Sequence, residues 1–102
     1  MRIIKKATLA AFWARNPQAR AGLERWYKTT KMAAWTCLAD ARATFPHADQ
    51  VAVRSGRKVV VFNIGGNKYR LITAIHYNRG WVFTLMVLTH AEYGKEEWKD
   101  VL

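Results

Sequence analysis

Only one cysteine, Cys37, occurs in the chain. An internal disulfide is therefore excluded, which fits a reducing compartment. Taken alone, Cys37 reads as a small buried hydrophobe. No apolar run approaches the roughly 20 residues that cross a bilayer. The opening "MRIIKKATLAAFWARNPQ" is broken by Arg15, Asn16 and Pro17 before a signal-peptide core is complete. A soluble, cytoplasmic protein with no membrane partner is expected. There is no CxxC and no HExxH, and His47, His76 and His90 lie far apart in sequence, so no metal site is expected. "IGGNKYR" fits neither GxGxxG nor GxxxxGKS/T and reads as a hairpin turn. Acidic residues number only 7, and none forms a two-carboxylate or two-metal centre. No cofactor is called for.

What is present in excess is positive charge. The 17 Lys and Arg residues leave a formal net charge of +10 on 102 residues. Such an excess implies a polyanionic partner: nucleic acid, an acidic membrane surface or an acidic protein. The charge is uneven. Residues 1–58 carry 12 Lys/Arg against 3 Asp/Glu, whereas residues 59–102 carry 5 against 4. The hydrophobic fraction, 51%, suits a folded chain, and the length suits one domain over residues 1–102.

The order of elements follows from periodicity. "RII" can form a first strand. Leu9, Phe12 and Trp13 recur at helical spacing within "ATLAAFWAR". Asn16 and Pro17 suit the cap and first position of a second helix, running to about Thr29 with Leu23, Trp26 and Tyr27 on its apolar face. Glu24 and Lys28 stand as an i, i+4 pair. A third helix spans part of "KMAAWTCLADARATFP", with Thr36 as its cap, and Leu38, Ala41, Arg42 and Phe45 along one side. "HADQ" is a loop. From Val51 the period shortens to that of strands: "VAVR", "KVVVFNI", "KYRLITAIHY" and "WVFTLMVL", joined by turns at "SGR", "GGN" and "NRG". Thr89 and Glu92 then form a capping box for a short last helix. The fold class is α+β: a small antiparallel β-sheet with N-terminal helices packed on one face. Trp13, Trp26 and Trp35 suit the helical core, while Trp81 and Trp98 suit more exposed places.

Polar side chains gather at the ends of the C-terminal strands. Alternation puts Arg70, Ile72, Ala74 and His76 on one face and Tyr69, Leu71, Thr73 and Ile75 on the other. Leu71 and Ile75 suit the helix-packed face, which leaves Arg70 on the open one. There it is either an ordinary solvated arginine or a phosphate clamp. His90 either caps a helix or transfers protons near neutral pH. Tyr93, three residues on, either packs in the core or meets a base.

At "VFNIGGNKYRLI", then a strand, then "THAEYGK", the chain resembles HigB-type toxins of type II toxin–antitoxin systems, within the RelE-like mRNA interferases. The resemblance extends to "RII" and to "FPHAD", and its most specific block is "FNIGGNKYRL". It implies a small antiparallel sheet with helices on one face and an RNA site on the other. It implies metal-independent cleavage of mRNA in the ribosomal A site by the RNA's own 2′-hydroxyl. It assigns Arg70 to the transition-state phosphate, His90 to proton transfer and Tyr93 to assistance. Asn63, Asn67 and Lys68 would position the RNA, and Lys58 would hold backbone phosphate. It also implies a HigA-like helix-turn-helix antitoxin, through which alone operator DNA would be met. RelE-type toxins carry lysines in the strand before the hairpin. Here that strand reads "VVVFNI", with Asn63 near the corresponding place, and an amide is no base. Two other classes fit the charge without cleavage: a basic RNA- or ribosome-binding module, and a structural subunit for an acidic partner.

Overall fold

The computed structural model describes all residues, Met1–Leu102. Five strands, β1 (Arg2–Ile4), β2 (Asp49–Ala52), β3 (Lys58–Ile64), β4 (Tyr69–His76) and β5 (Trp81–Thr89), form one sheet in the order β1-β5-β4-β3-β2. The helices are α1 (Ala7–Arg15), α2 (Arg20–Lys31), α3 (Leu38–Thr44), α4 (His90–Lys95) and α5 (Trp98–Val101). This is the α+β arrangement expected. β2 to β5 run antiparallel, and β1 joins the edge parallel to β5, so the sheet is mixed. No helix is long and apolar enough to cross a membrane.

The sheet is apolar on both faces. Leu9 and Phe12 of α1 and Leu23 and Trp26 of α2 bury one face against Val60, Phe62, Leu71, Val82 and Val87. On the other face Val53, Val59, Val61 and Ile72 pack with Trp98 of α5. β5 serves both faces by slipping register. Ile72 pairs with Met86 and Thr73 with Thr84, so Leu85 is an extra residue. Strict alternation would send Val82 and Val87 to opposite faces, and a one-residue bulge returns both to the helices. Buried hydroxyls in the sheet are used: Thr73 donates to the Val60 carbonyl at 2.9 Å, and Thr84 ties β5 to Ile4 and Lys5 beyond β1.

Two close approaches position the site. Gly65 and Gly66 hold φ of +62° and +70° in the β3–β4 turn, a region that suits glycine. Gly22 of α2 sits against the base of that turn, where an added Cβ would lie 2.8 Å from Ile64 Cγ2 and 3.1 Å from the Gly65 nitrogen.

Several local expectations fail for tertiary reasons. Asn16 does not cap a second helix. Its side-chain amide donates back to the Phe12 carbonyl at 3.3 Å, and a 3-10 turn, Pro17–Ala19, precedes α2. Glu24 pairs with Arg20 at 2.6 Å rather than with Lys28. Thr36 donates to the Asp40 carboxylate, so the acid closes the start of α3, and Cys37 at the helix boundary is exposed. Arg42 points outward from α3 and holds the Ala48 carbonyl. β2 begins at Asp49, inside the expected loop, because Asp49 and Gln50 extend the ladder opposite Val61 and Val60. Trp98 is buried, because the C-terminal helices fold across the second face.

Phe62 lies at the centre of the helix-side core, with its ring 5.5 Å from Trp26, 5.9 Å from Trp35 and 5.4 Å from Phe45. Phe62→Ala should cost about 3–5 kcal/mol, much of the roughly 5–15 kcal/mol expected of a domain this size. Urea unfolding checks it: the midpoint should fall sharply with little change in slope.

Candidate active site

The β3–β4 turn and the start of α4 meet at one end of the sheet. Asn63 pairs across the hairpin with Arg70, and Arg70 pairs with Leu88 of β5. Immediately after β5 the chain turns into α4. Thr89 caps it: the Thr89 hydroxyl accepts from the Glu92 N–H at 3.2 Å, and the Glu92 carboxylate accepts from the Thr89 N–H at 2.9 Å. This capping box fixes the first turn and places His90 and Tyr93, three residues apart, on neighbouring positions. The His90 N–H donates to the Lys68 carbonyl at 2.9 Å, which fastens α4 to the hairpin tip.

Arg70 is the centre of the arrangement. Alternation places it on the face away from α1 and α2, as expected, but that face is not open. Arg70 is only 8% exposed. Its Nη1 donates to the carbonyls of Asn67 and Tyr69, both at 3.1 Å. Its Nη2 lies 3.2 Å from His90 Nδ1. The guanidinium carbon stands 5.5 Å from the centroid of the Tyr93 ring, which stacks in turn on Trp98. No carboxylate pairs with Arg70; the four ion pairs of the protein all lie elsewhere. A guanidinium has five N–H groups, and three contacts leave about two unused.

The protonation pattern at His90 follows from that contact. Arginine only donates, so Nδ1 must accept, and in the neutral ring the proton sits on Nε2. Burial pushes the Tyr93 phenol above its ordinary value of 10.0, so at neutral pH it is an O–H donor and no base. Asn63 Nδ2 donates to Asn67 Oδ1 at 3.3 Å, which steadies the turn beside Arg70. Of the residues expected at an RNA site, Arg70, His90, Tyr93, Asn63 and Asn67 are thus gathered together. Lys68 takes part through its backbone, and its side chain is exposed. Lys58 is not brought in. It opens β3 opposite Ala52, five residues from Asn63 or about 17 Å along the strand, and alternation turns it to the other face.

Two residues of this region escape a reading by sequence. Trp98 backs Tyr93, with ring centroids 5.3 Å apart and its indole N–H donating to the Tyr93 carbonyl. His47, in the loop before β2, accepts the Asn63 N–H on Nδ1 at 3.3 Å. It extends the β2–β3 ladder by two residues, and only the position of the β2 start could have signalled it.

The family profile described as HigB_toxin, a RelE-like toxic component of a toxin–antitoxin system, matches residues 19–96. The chain is also similar to a protein of Escherichia coli O6:H1 (strain CFT073) named mRNA interferase HigB. The two are 30% identical over 95 residues, covering 93% of this chain and 90% of that protein.

The buried phenol carries a consequence for stability. Burial raises Tyr93 in the folded state, and Tyr77 likewise. Below pH 10 both states keep the proton and the term is constant. Above the ordinary phenol value the unfolded chain loses the proton first, so stability falls as pH rises through and beyond 10. Denaturation midpoints between pH 9 and 11 should show the fall. Tyr93→Phe and Tyr77→Phe should each flatten part of it.

Proposed function

The chain belongs to the HigB family of RelE-like toxins, and from that membership we propose that residues 1–102 act as one toxin domain, an endoribonuclease that cuts translated mRNA. The observation that carries this reading is Arg70: a buried guanidinium, held on two backbone carbonyls, with no carboxylate and with donors to spare. A phosphodiester supplies the missing anion. The cation is fixed before substrate arrives, so it need not reorganise as charge builds on the phosphoryl oxygens.

In the proposed reaction the 2′-oxygen attacks the adjacent phosphorus, the O2′–P bond forms and the P–O5′ bond breaks. The 2′-hydroxyl proton passes to solvent water and the departing 5′-oxygen gains one through His90, which water reprotonates, leaving a 2′,3′-cyclic phosphate and a 5′-hydroxyl. Arg70 neutralises the phosphoryl oxygens, the role a metal ion plays in other nucleases. His90 offers Nε2–H to the 5′-oxygen. Tyr93 donates its phenol O–H and offers its ring to a base. Asn63, Asn67 and Lys68 position the strand. Lys58, at the far end of β3, meets the RNA backbone only at a distance from the scissile phosphate.

The A site of the ribosome is the proposed place of action, in the cytoplasm. The +10 charge supports attraction to ribosomal RNA. A HigA-like helix-turn-helix antitoxin is the proposed protein partner, and operator DNA is met only through that complex.

Expression of wild type, Arg70→Ala, Arg70→Lys and His90→Ala, with 5′-end mapping of cellular mRNA, tests the reading. Wild type should arrest growth and cut inside translated codons. Arg70→Ala should lower cleavage by about 10²–10³-fold, or roughly 3 kcal/mol. Arg70→Lys keeps the charge, loses the fork and should stay strongly impaired. His90→Ala should lower cleavage by about 10²-fold or more. A chelator selective for zinc and other transition metals, with the Mg²⁺ that holds ribosomes together kept in place, should leave cleavage by purified toxin on programmed ribosomes unchanged. Arrest without cuts, in variants shown by circular dichroism to be folded, would replace this reading with a basic RNA-binding module.

A further inference from the structure

Asn63 faces two ways. Its side chain holds Asn67 beside Arg70, and its backbone N–H holds His47. Next to it lies a cavity of about 260 Å³ lined by Arg25, Trp26, His47, Asn63, Gly65 and Gly66 among others. None of the residues facing this cavity is acidic. Arg25, exposed on α2, has no ion-pair partner, and no side-chain hydrogen bond engages it. His47 accepts on Nδ1, so its Nε2 carries a proton that can be donated. Trp26 is 1% exposed, and its indole N–H has no partner in the protein. Gly65 and Gly66 present bare backbone, and at Gly66 an added Cβ would meet nothing within 4 Å.

The cavity therefore offers the Arg25 and His47 donors, the half-buried Phe45 ring and open backbone. Those are the means by which proteins hold one unstacked nucleotide of single-stranded RNA: stacking on arginine or aromatic planes, with hydrogen bonds to acceptor-rich base edges and phosphate. A protein segment of comparable size would look for an apolar anchor, and of the three apolar groups here Trp26 and Ile64 are buried in the core, which leaves only the half-buried edge of Phe45.

We propose that the Arg25–His47 cavity is a nucleotide-binding subsite for the residue adjoining the scissile phosphate, with Arg25 and His47 as its specificity-determining contacts. The location beside the scissile phosphate rests on the endonuclease reading above. The cavity lies on the helix side of β3 and Arg70 on the other, so an RNA strand that sets one phosphate on Arg70 crosses the sheet end at Asn63, and the nucleotide next to that phosphate enters the cavity.

Two measurements on the full chain test it. The first is equilibrium binding of a short 2′-O-methyl oligoribonucleotide, which cannot be cut, to wild type, Arg25→Ala and His47→Ala. Arg25 makes no ion pair and no cation–π contact, and no side-chain hydrogen bond engages it, so Arg25→Ala serves as the clean variant. Each substitution should weaken binding about tenfold, the loss of one charge-assisted or well-oriented hydrogen bond. An abasic unit at one position of the oligonucleotide should erase that difference. The second is cleavage on programmed ribosomes, where Arg25→Ala should raise KM about tenfold, leave kcat nearly unchanged and alter the nucleotide preferred next to the cut. Unchanged affinity, or a fall in kcat with KM constant, overturns the proposal. Wild type that binds in an Arg25-dependent way but never cuts overturns the endonuclease reading and leaves the cavity as a nucleotide site.

Discussion

A cation buried without an anion is the constraint around which this end of the molecule is built. Taking an ion out of water costs several kcal/mol even after relaxation, and arginine cannot escape by losing its proton. Arg70 must be satisfied where it stands. The groups that satisfy it come from the β3–β4 turn, from β4 itself and from α4. The Asn67 carbonyl comes from the glycine turn, the Tyr69 carbonyl from β4, and His90 and the Tyr93 ring from one face of α4. The positive φ of Gly65 and Gly66, the capping box at Thr89 and the stacking of Trp98 are conditions for holding that guanidinium. A carboxylate would have stabilised it more simply, and would also have quenched it toward phosphate.

The same constraint explains why the second face of the sheet is covered. Fully open, it would leave Arg70 in water, where a phosphate contact is screened and weak. Fully packed, it would exclude RNA. α4 and α5 cover the face with Trp98 and Tyr93 over Val53, Val59, Val61 and Ile72, and they stop at Arg70. The Leu85 bulge lets β5 feed both layers by adding one residue, and the last residue of the strand falls at the N-cap of α4. Register, cap and buried charge are therefore one linked arrangement: a further one-residue slip in β5 would move Leu88 off Arg70 and turn His90 away.

Much of this was legible in the sequence, and what was not has a common cause. α1, β3 and the capping box match their expected residues because their signals are local: a 3.6-residue apolar stripe, a β-branched run, a Thr-x-x-Glu spacing. Alternation in β4 placed Arg70 on the correct face. It could not show that Arg70 is buried, because burial depends on Trp98 packing back from 28 residues further on. Asn16, Glu24 and Thr36 each had two local partners within reach, and propensity did not decide between them. His47 met Asn63 only because β2 starts two residues earlier than its apolar pattern suggests. The grouping of Arg70, His90 and Tyr93 came from the resemblance to a family. The contacts that join them came from the structure.

The split in charge along the chain has a physical division of labour behind it. Residues 1–58 hold most of the excess, yet the candidate site belongs mainly to residues 63–98. The exposed cations of α1 and α2 other than Arg25 act on a polyanion through solvent, and at physiological salt their reach is about 8 Å. They can raise the rate of encounter and the residence of RNA on the surface, and ionic strength weakens both. They cannot stabilise charge that develops on one phosphoryl group. Arg70, nearly desolvated and fixed on two carbonyls, is shielded from that screening and acts over a few ångströms. On the proposed reading, capture and chemistry are thus assigned to different charges. Added salt should then tax the first far more than the second, a separation that a site built from surface lysines alone would not show.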